Sequence, residues 1–152
     1  MSTMGLVDLP DGGRLRYDVS GEGPAVVLLH PGLWDRRTWD PQMESFPAAG
    51  FRTIRYDARG YGESSRPTGE PYSHVRDLLV LLDELDVPLA ALVGCSMGGS
   101  TEIDFALEHP ERVWALVAVA AGIGGFEALD EEEDWWAELT APIDAAIEAG
   151  EI

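Results

Sequence analysis

Short apolar runs alternate along the chain with amphipathic stretches, and their spacing predicts an ordered series of strands and helices. Gly5 to Leu9 and Arg14 to Val19 are brief extended segments joined by Pro10-Asp11-Gly12-Gly13, a turn composition, so they form a hairpin. Ala25 to Leu29 reads AVVLL between Gly23-Pro24 and His30-Pro31-Gly32, the pattern of a strand buried on both faces. A helix follows over about Pro41 to Ala49, with Asp40 as its cap, Pro41 at its first position and Gly50 at its end. Phe51 to Tyr56 is the next strand. Residues 57 to 72, DARGYGESSRPTGEPY, are rich in Gly, Pro and Ser and form a long loop. Ser73 then caps a helix from His74 to about Leu85, in which Val75, Leu78, Leu79, Leu82 and Leu85 fall at helical spacing. A strand over Leu89 to Val93, a helix over Met97 to Glu108 stopped by His109-Pro110, and a strand over Val113 to Ala121 complete the series.

After the hairpin the elements therefore alternate strand and helix. Alternation of this kind requires right-handed crossovers, and it predicts an α/β fold, a mostly parallel sheet with helices on both faces.

The composition shifts at Glu127. Residues 127 to 152 hold ten acidic residues and no Arg, whereas residues 1 to 126 hold 18 acidic residues and all ten Arg. This divides the chain into a core of about six strands, 1–126, and an acidic helical segment, 127–152, whose Leu129, Trp135, Trp136, Leu139, Ile143 and Ile147 give it an apolar face. Its DEEED run reads as a solvated helix start, where carboxylates favour the positive end of the dipole, and not as a metal site.

Charge narrows the range of partners. With 28 acidic and 10 basic residues the net charge is −18, which repels phosphate backbones and anionic lipid, so neither nucleic acid nor membrane is an expected partner. All the basic residues are Arg, a composition shared by GC-rich genomes and salt-loving hosts. Cys95 stands alone and cannot form an internal disulfide. The first twenty residues lack the basic and apolar regions of a secretory signal, and the longest uncharged apolar run, Val113 to Phe126, is shorter than the ~18 residues of a membrane span. These features lead us to expect a soluble cytoplasmic protein.

The chemistry concentrates in Leu92-Val93-Gly94-Cys95-Ser96-Met97-Gly98-Gly99, which sets Gly-x-Ser-x-Gly between a buried strand and a helix. A sharp turn at that place lifts the serine hydroxyl off the sheet in strained, positive-φ geometry and demands small neighbours, which Gly94 and Gly98 are. The Met97 amide, at the helix N-terminus, would face an oxyanion forming above Ser96, and a second donor would come from the loop His30-Pro31-Gly32-Leu33.

Three segments in this order, HPGL at 30–33, DARGYGES at 57–64 and GCSMGG at 94–99, resemble the α/β-hydrolase family. The resemblance covers essentially the whole chain. The stretches HPGLWDRRTWDPQ, YSHVRDLLVLLDEL and DFALEHPERV are most similar to the lactonase and esterase branch near 3-oxoadipate enol-lactonase. It implies Ser96 as catalytic nucleophile and, two residues beyond the loop histidine, Gly32 as the oxyanion donor beside Met97. Pro31 stands where the family has glycine and cannot donate, so Leu33 is the fallback. Leu33 and Trp34, with Asp35, are candidates to line a substrate pocket, although packing explains Trp34 as well.

The family fold has eight strands, with an acid after the seventh or sixth and a histidine after the eighth. Only about six are expected here, so the resemblance implies that this chain is the N-terminal part of the fold, ending in the lid region, with the triad acid and histidine outside it. The chain's own histidines do not replace the missing one. His30 matches a structural loop position, His74 opens a helix and should face solvent, and His109 lies a helix length from Ser96. Cys95 reads as a small buried hydrophobe, and Asp57, Arg59 and Ser64 as a brace for the sheet.

Two functions follow as expectations. One is hydrolysis of a small-molecule carboxylic ester or lactone by acyl transfer through Ser96, needing no cofactor and no metal; haloperoxidase-like, thioesterase and carbon-carbon bond hydrolase activities share the same elbow. The other is a non-catalytic truncated or split fragment, which would self-associate or dock with a complementing C-terminal half through the exposed edge of the strand Val113 to Ala121.

Overall fold

The computed structural model describes residues 2–69 and 71–123, together with residues 141, 142 and 145, which are helical. The expected acidic segment 127–152 otherwise lies outside the described residues.

Among the described residues six strands form one sheet. The hairpin strands β1 (Ser2–Asp8) and β2 (Arg14–Ser20) pair antiparallel, Leu9 and Gly13 closing the turn between them. β3 (Ala25–Leu29), β4 (Arg52–Tyr56), β5 (Ala90–Cys95) and β6 (Val113–Val119) are mutually parallel, and the strand order is β1-β2-β4-β3-β5-β6. As the apolar run predicts, all five residues of β3 are buried. A continuous apolar strand can be satisfied only at the centre of a sheet covered on both faces.

Helices supply the two covers. α1 (Asp40–Ala48) lies on one face, where Met43 and Phe46 pack with Val26, Leu28, Trp39 and Ala91. α2 (His74–Glu84) and α3 (Met97–Glu108) lie on the other, where Val75, Leu78, Leu81, Leu82 and Phe105 meet Val27, Leu29, Ile54, Tyr56 and Leu92. Each fully buried large side chain contributes roughly 1.5–3 kcal/mol, so this second face holds most of the stabilisation. Among the described residues no helix is long and apolar enough to cross a membrane.

Two local expectations are corrected. Asp40 does not cap α1; it lies inside the helix, and its carboxylate pairs with Arg55. The cap position is taken by Trp39, the end of a 3-10 turn over Arg36–Trp39 that the sequence pattern did not reveal. The helix at Ser73 is as expected, with the serine hydroxyl accepting the Arg76 amide.

β6 pairs with β5 alone among the described residues. Trp114, Val117 and Val119 remain 48%, 50% and 49% exposed, the apolar sheet edge that the sequence predicts.

Candidate active site

The turn from β5 into α3 occurs at a single residue. Ser96 has φ 50° and ψ −115°, a region that side chains rarely occupy, and it is exposed at the carboxyl end of the sheet. Its amide is held by the Val119 carbonyl at 2.8 Å, and its carbonyl accepts the Ser100 amide at 2.8 Å, so the strained residue is fixed from both sides. The flanking glycines are required by space. A Cβ on Gly94 would stand 2.6 Å from the Gly98 carbonyl, and one on Gly98 would run into the Leu29 carbonyl. No side chain caps α3, which leaves the amides of its first turn free to receive an anion.

The loop after β3 faces this turn. His30 is buried and makes two hydrogen bonds: Nε2 accepts the Ala58 amide at 3.0 Å, which leaves Nδ1 to donate to the Pro31 carbonyl at 2.8 Å. Burial pushes the imidazole below its ordinary value and keeps it neutral in this tautomer. The Pro31–Gly32 peptide is planar and trans, so pinning the carbonyl to His30 turns the Gly32 N–H to the opposite side. Gly32 itself lies against Met97: a Cβ built on it would stand 3.9 Å from the Met97 Cβ. Gly32 and Met97, the two residues expected to donate amides, are thus neighbours. Leu33 follows with φ 68°, and both Leu33 (53%) and Trp34 (62%) are exposed, so packing does not account for Trp34.

A buried ionic network fixes this loop. The Arg36 guanidinium meets Asp57, Asp18 and Glu63, while the Arg36 amide donates to Asp57. Glu63 donates its amide to the same Asp57 carboxylate, the Ser64 hydroxyl donates to the Asp57 carbonyl, and Arg59 pairs with Asp77 and Asp11. Asp57, Arg59 and Ser64 therefore brace the sheet, as their loop suggested. Asp35 caps the 3-10 turn and is held at about 2 chiefly by its hydrogen bonds with Arg37.

Neither His30 nor His109 is placed to act as a base on Ser96. Both nitrogens of His30 are engaged. His109 ends the 12-residue α3, about 18 Å away along its axis. His74 is not solvent-facing as expected; it is partly buried, with its ring edge-on to Tyr72 at 5.3 Å and its pKa lowered by burial. Cys95 is partly exposed and packs toward the α1 face, away from the turn. Among the described residues no group of three His, Cys, Asp or Glu side chains could hold a metal ion.

Arg36, Tyr61 and Glu102 escaped the sequence reading. Arg36 could have been suspected as a basic residue next to the HPGL loop; the other two carry signals that only the fold interprets.

Residues 24–141 match the family model for the alpha/beta hydrolase fold. The chain is 40% identical over 119 residues to the 2-hydroxy-6-oxononadienedioate/2-hydroxy-6-oxononatrienedioate hydrolase of Burkholderia vietnamiensis, covering 74% of this chain and 41% of that one. Among solved structures it is similar to Est816, an N-acyl homoserine lactone degrading enzyme (TM-score 0.73, 35% identity, 78% of this chain and 46% of that one). It is also similar to the enol-lactonase of Burkholderia xenovorans (TM-score 0.70, 32% identity, 78% of this chain and 46% of that one). The chain therefore spans less than half the length of each.

Proposed function

The chain belongs to the α/β-hydrolase fold family, and on that premise we propose that it carries the nucleophile part of a serine hydrolase acting on a carboxylic ester or lactone by acyl transfer. The observation that supports this most is an exposed serine in strained geometry, Ser96 at φ 50°, at the start of α3, where the next residue, Met97, lies against Gly32. The lactone-directed activities of Est816 and the enol-lactonase support an ester or lactone as the substrate class.

In this reading the Ser96 oxygen bonds to the substrate carbonyl carbon, and its proton passes to a base. The carbonyl oxygen becomes anionic and is received by the Met97 and Gly32 amides, where it is worth far more to the transition state than to the planar ground state. Collapse breaks the bond to the alkoxy oxygen, which leaves with a proton, and water then releases the acid from Ser96. Leu33 and Trp34, both exposed at the loop, form the wall against which the acyl or ring portion rests.

In this reading the base comes from outside the chain's three histidines, which is supported by the engagement of both His30 nitrogens and by the position of His109 at the far end of α3. A longer form of the protein or a complementing C-terminal half bound at β6 would supply it, and without either the chain is a non-catalytic unit that self-associates through that edge.

The test is hydrolysis of p-nitrophenyl butyrate by these 152 residues, by Ser96→Ala and by any longer form that continues past Ile152. These residues alone should give no more than the ~10³ to 10⁴-fold enhancement over water left when a triad is lost, whereas a longer form should turn over in a Ser96-dependent way. Robust turnover by the 152 residues that is lost in His30→Ala would overturn the rejection of the local histidines.

A further inference from the structure

We infer that the hydroxyl of Tyr61 is a third hydrogen-bond donor of the acyl pocket, directed with the amides of Gly32 and Met97 at the oxygen of the substrate carbonyl. The inference rests on the acyl-transfer reading of Ser96 and adds to it a side chain from a different loop.

Three observations carry it. The first is position: a Cβ built on Gly32 would stand 3.6 Å from the Tyr61 hydroxyl and 3.9 Å from the Met97 Cβ. Because glycine has no side chain, the space between the hydroxyl and Met97 stays open to a substrate atom. The second is rigidity. The Tyr61 ring meets His30 edge-on with centroids 5.2 Å apart, its amide donates to the Ala58 carbonyl at 3.0 Å, and Ala58 in turn donates to His30. One imidazole therefore fixes both the Gly32 peptide and the loop bearing Tyr61, and the separation of the donors is built in. The third is availability: Tyr61 is only partly buried, and its hydroxyl enters none of the side-chain hydrogen bonds formed among the described residues.

A phenylalanine would make the same ring contact with His30, so packing alone does not call for the oxygen. Burial also pushes the phenol upward, which keeps it protonated and a donor through the neutral range. No proton is transferred in this role; the hydroxyl only shares its hydrogen with the oxyanion.

The experiment uses phenylboronic acid, whose boron bonds to the Ser96 oxygen, releases the serine proton to buffer and becomes a tetrahedral anion with an oxygen in the carbonyl oxygen's place. Adduct formation is an equilibrium, so it can be measured by boron NMR even where no base speeds it. Wild type should form the adduct, Ser96→Ala should not, and Tyr61→Phe should bind about tenfold or more weakly while its circular dichroism and unfolding midpoint stay those of wild type, the scale of a hydrogen bond to a charged oxygen. In the unsubstituted protein, isotope-labelled tyrosine Cζ should report the same bond as a shift of the Tyr61 resonance on adding the boronate. Equal affinity of Tyr61→Phe and wild type, or an unmoved Cζ resonance, overturns the role of Tyr61 alone. Failure of wild type to form any adduct overturns it together with the reading of Ser96.

Discussion

Asp57 holds Arg36 twice, accepting its backbone amide on Oδ1 at 2.8 Å and its guanidinium on Oδ2 at 2.5 Å. Both side chains are buried, Asp57 completely. The pair ties the loop after β3, which carries Gly32, to the loop after β4, which carries Tyr61, so the geometry around Ser96 depends on a contact remote from it.

Removing one partner of a buried pair leaves the other charge without compensation, at a cost of about 3–5 kcal/mol. Asp57→Ala should therefore lower the free energy of unfolding by about that amount in urea titrations. A loss below about 1 kcal/mol would show that the network is solvated and does not fix the loop.

Glu102 sets the pH dependence of stability. It is fully buried on α3, no side chain among the described residues bonds its carboxyl, and burial, opposed only by the Gly94 backbone, pushes its pKa up to about 8. The folded state thus binds a proton that the unfolded chain gives up at an ordinary carboxylate value. Stability from this group is fully present below that value and is lost as pH rises toward 8, with a slope no steeper than about 1.4 kcal/mol per pH unit. Glu102→Gln should flatten the decline and stabilise the protein at pH 8; an unchanged profile in urea titrations would mean that Glu102 is ionised in the fold.

Salt should stabilise the fold. The charge of −18 is spread over a small protein, while the Arg residues that offset it, such as Arg36, Arg55 and Arg59, are turned inward to Asp18, Asp57 and Asp77. Screening shortens to about 3 Å at 1 M ionic strength and relieves the surface repulsion more than it weakens the buried pairs. The unfolding midpoint should rise steadily between low salt and 1 M potassium chloride; a fall would place the net electrostatic stabilisation in the exposed ion pairs.

The elements that were legible in the sequence are those whose signals are local. The bounds of Met97–Glu108 were readable because Gly-x-Ser-x-Gly announces the start and His109-Pro110 the stop, and AVVLL declared its own burial. The turn Arg36–Trp39 was not readable, since what stabilises it is the long-range capture of Arg36 by Asp57 and Asp18. Asp40 had the right residue type for a cap but was claimed by Arg55, which projects from β4 on the face that α1 covers. The same limit applied at the site. Ser96, Met97 and Gly32 lie on one motif and one loop, whereas Tyr61 reaches Gly32 only because His30 draws two loops together. Glu102 falls on the inward face of α3, where helical spacing places it, but a lone acidic letter gives no sign that it lacks a side-chain partner.

The central claim is that Ser96 is the acyl-accepting nucleophile, and covalent labelling with a fluorophosphonate tests it most directly. The adduct is irreversible, so it accumulates even at the slow rate expected without a base. The account predicts one adduct per chain, located on Ser96 by peptide mass spectrometry, absent in Ser96→Ala and absent after unfolding in urea. Labelling spread over other hydroxyls, or unchanged in Ser96→Ala, would contradict it.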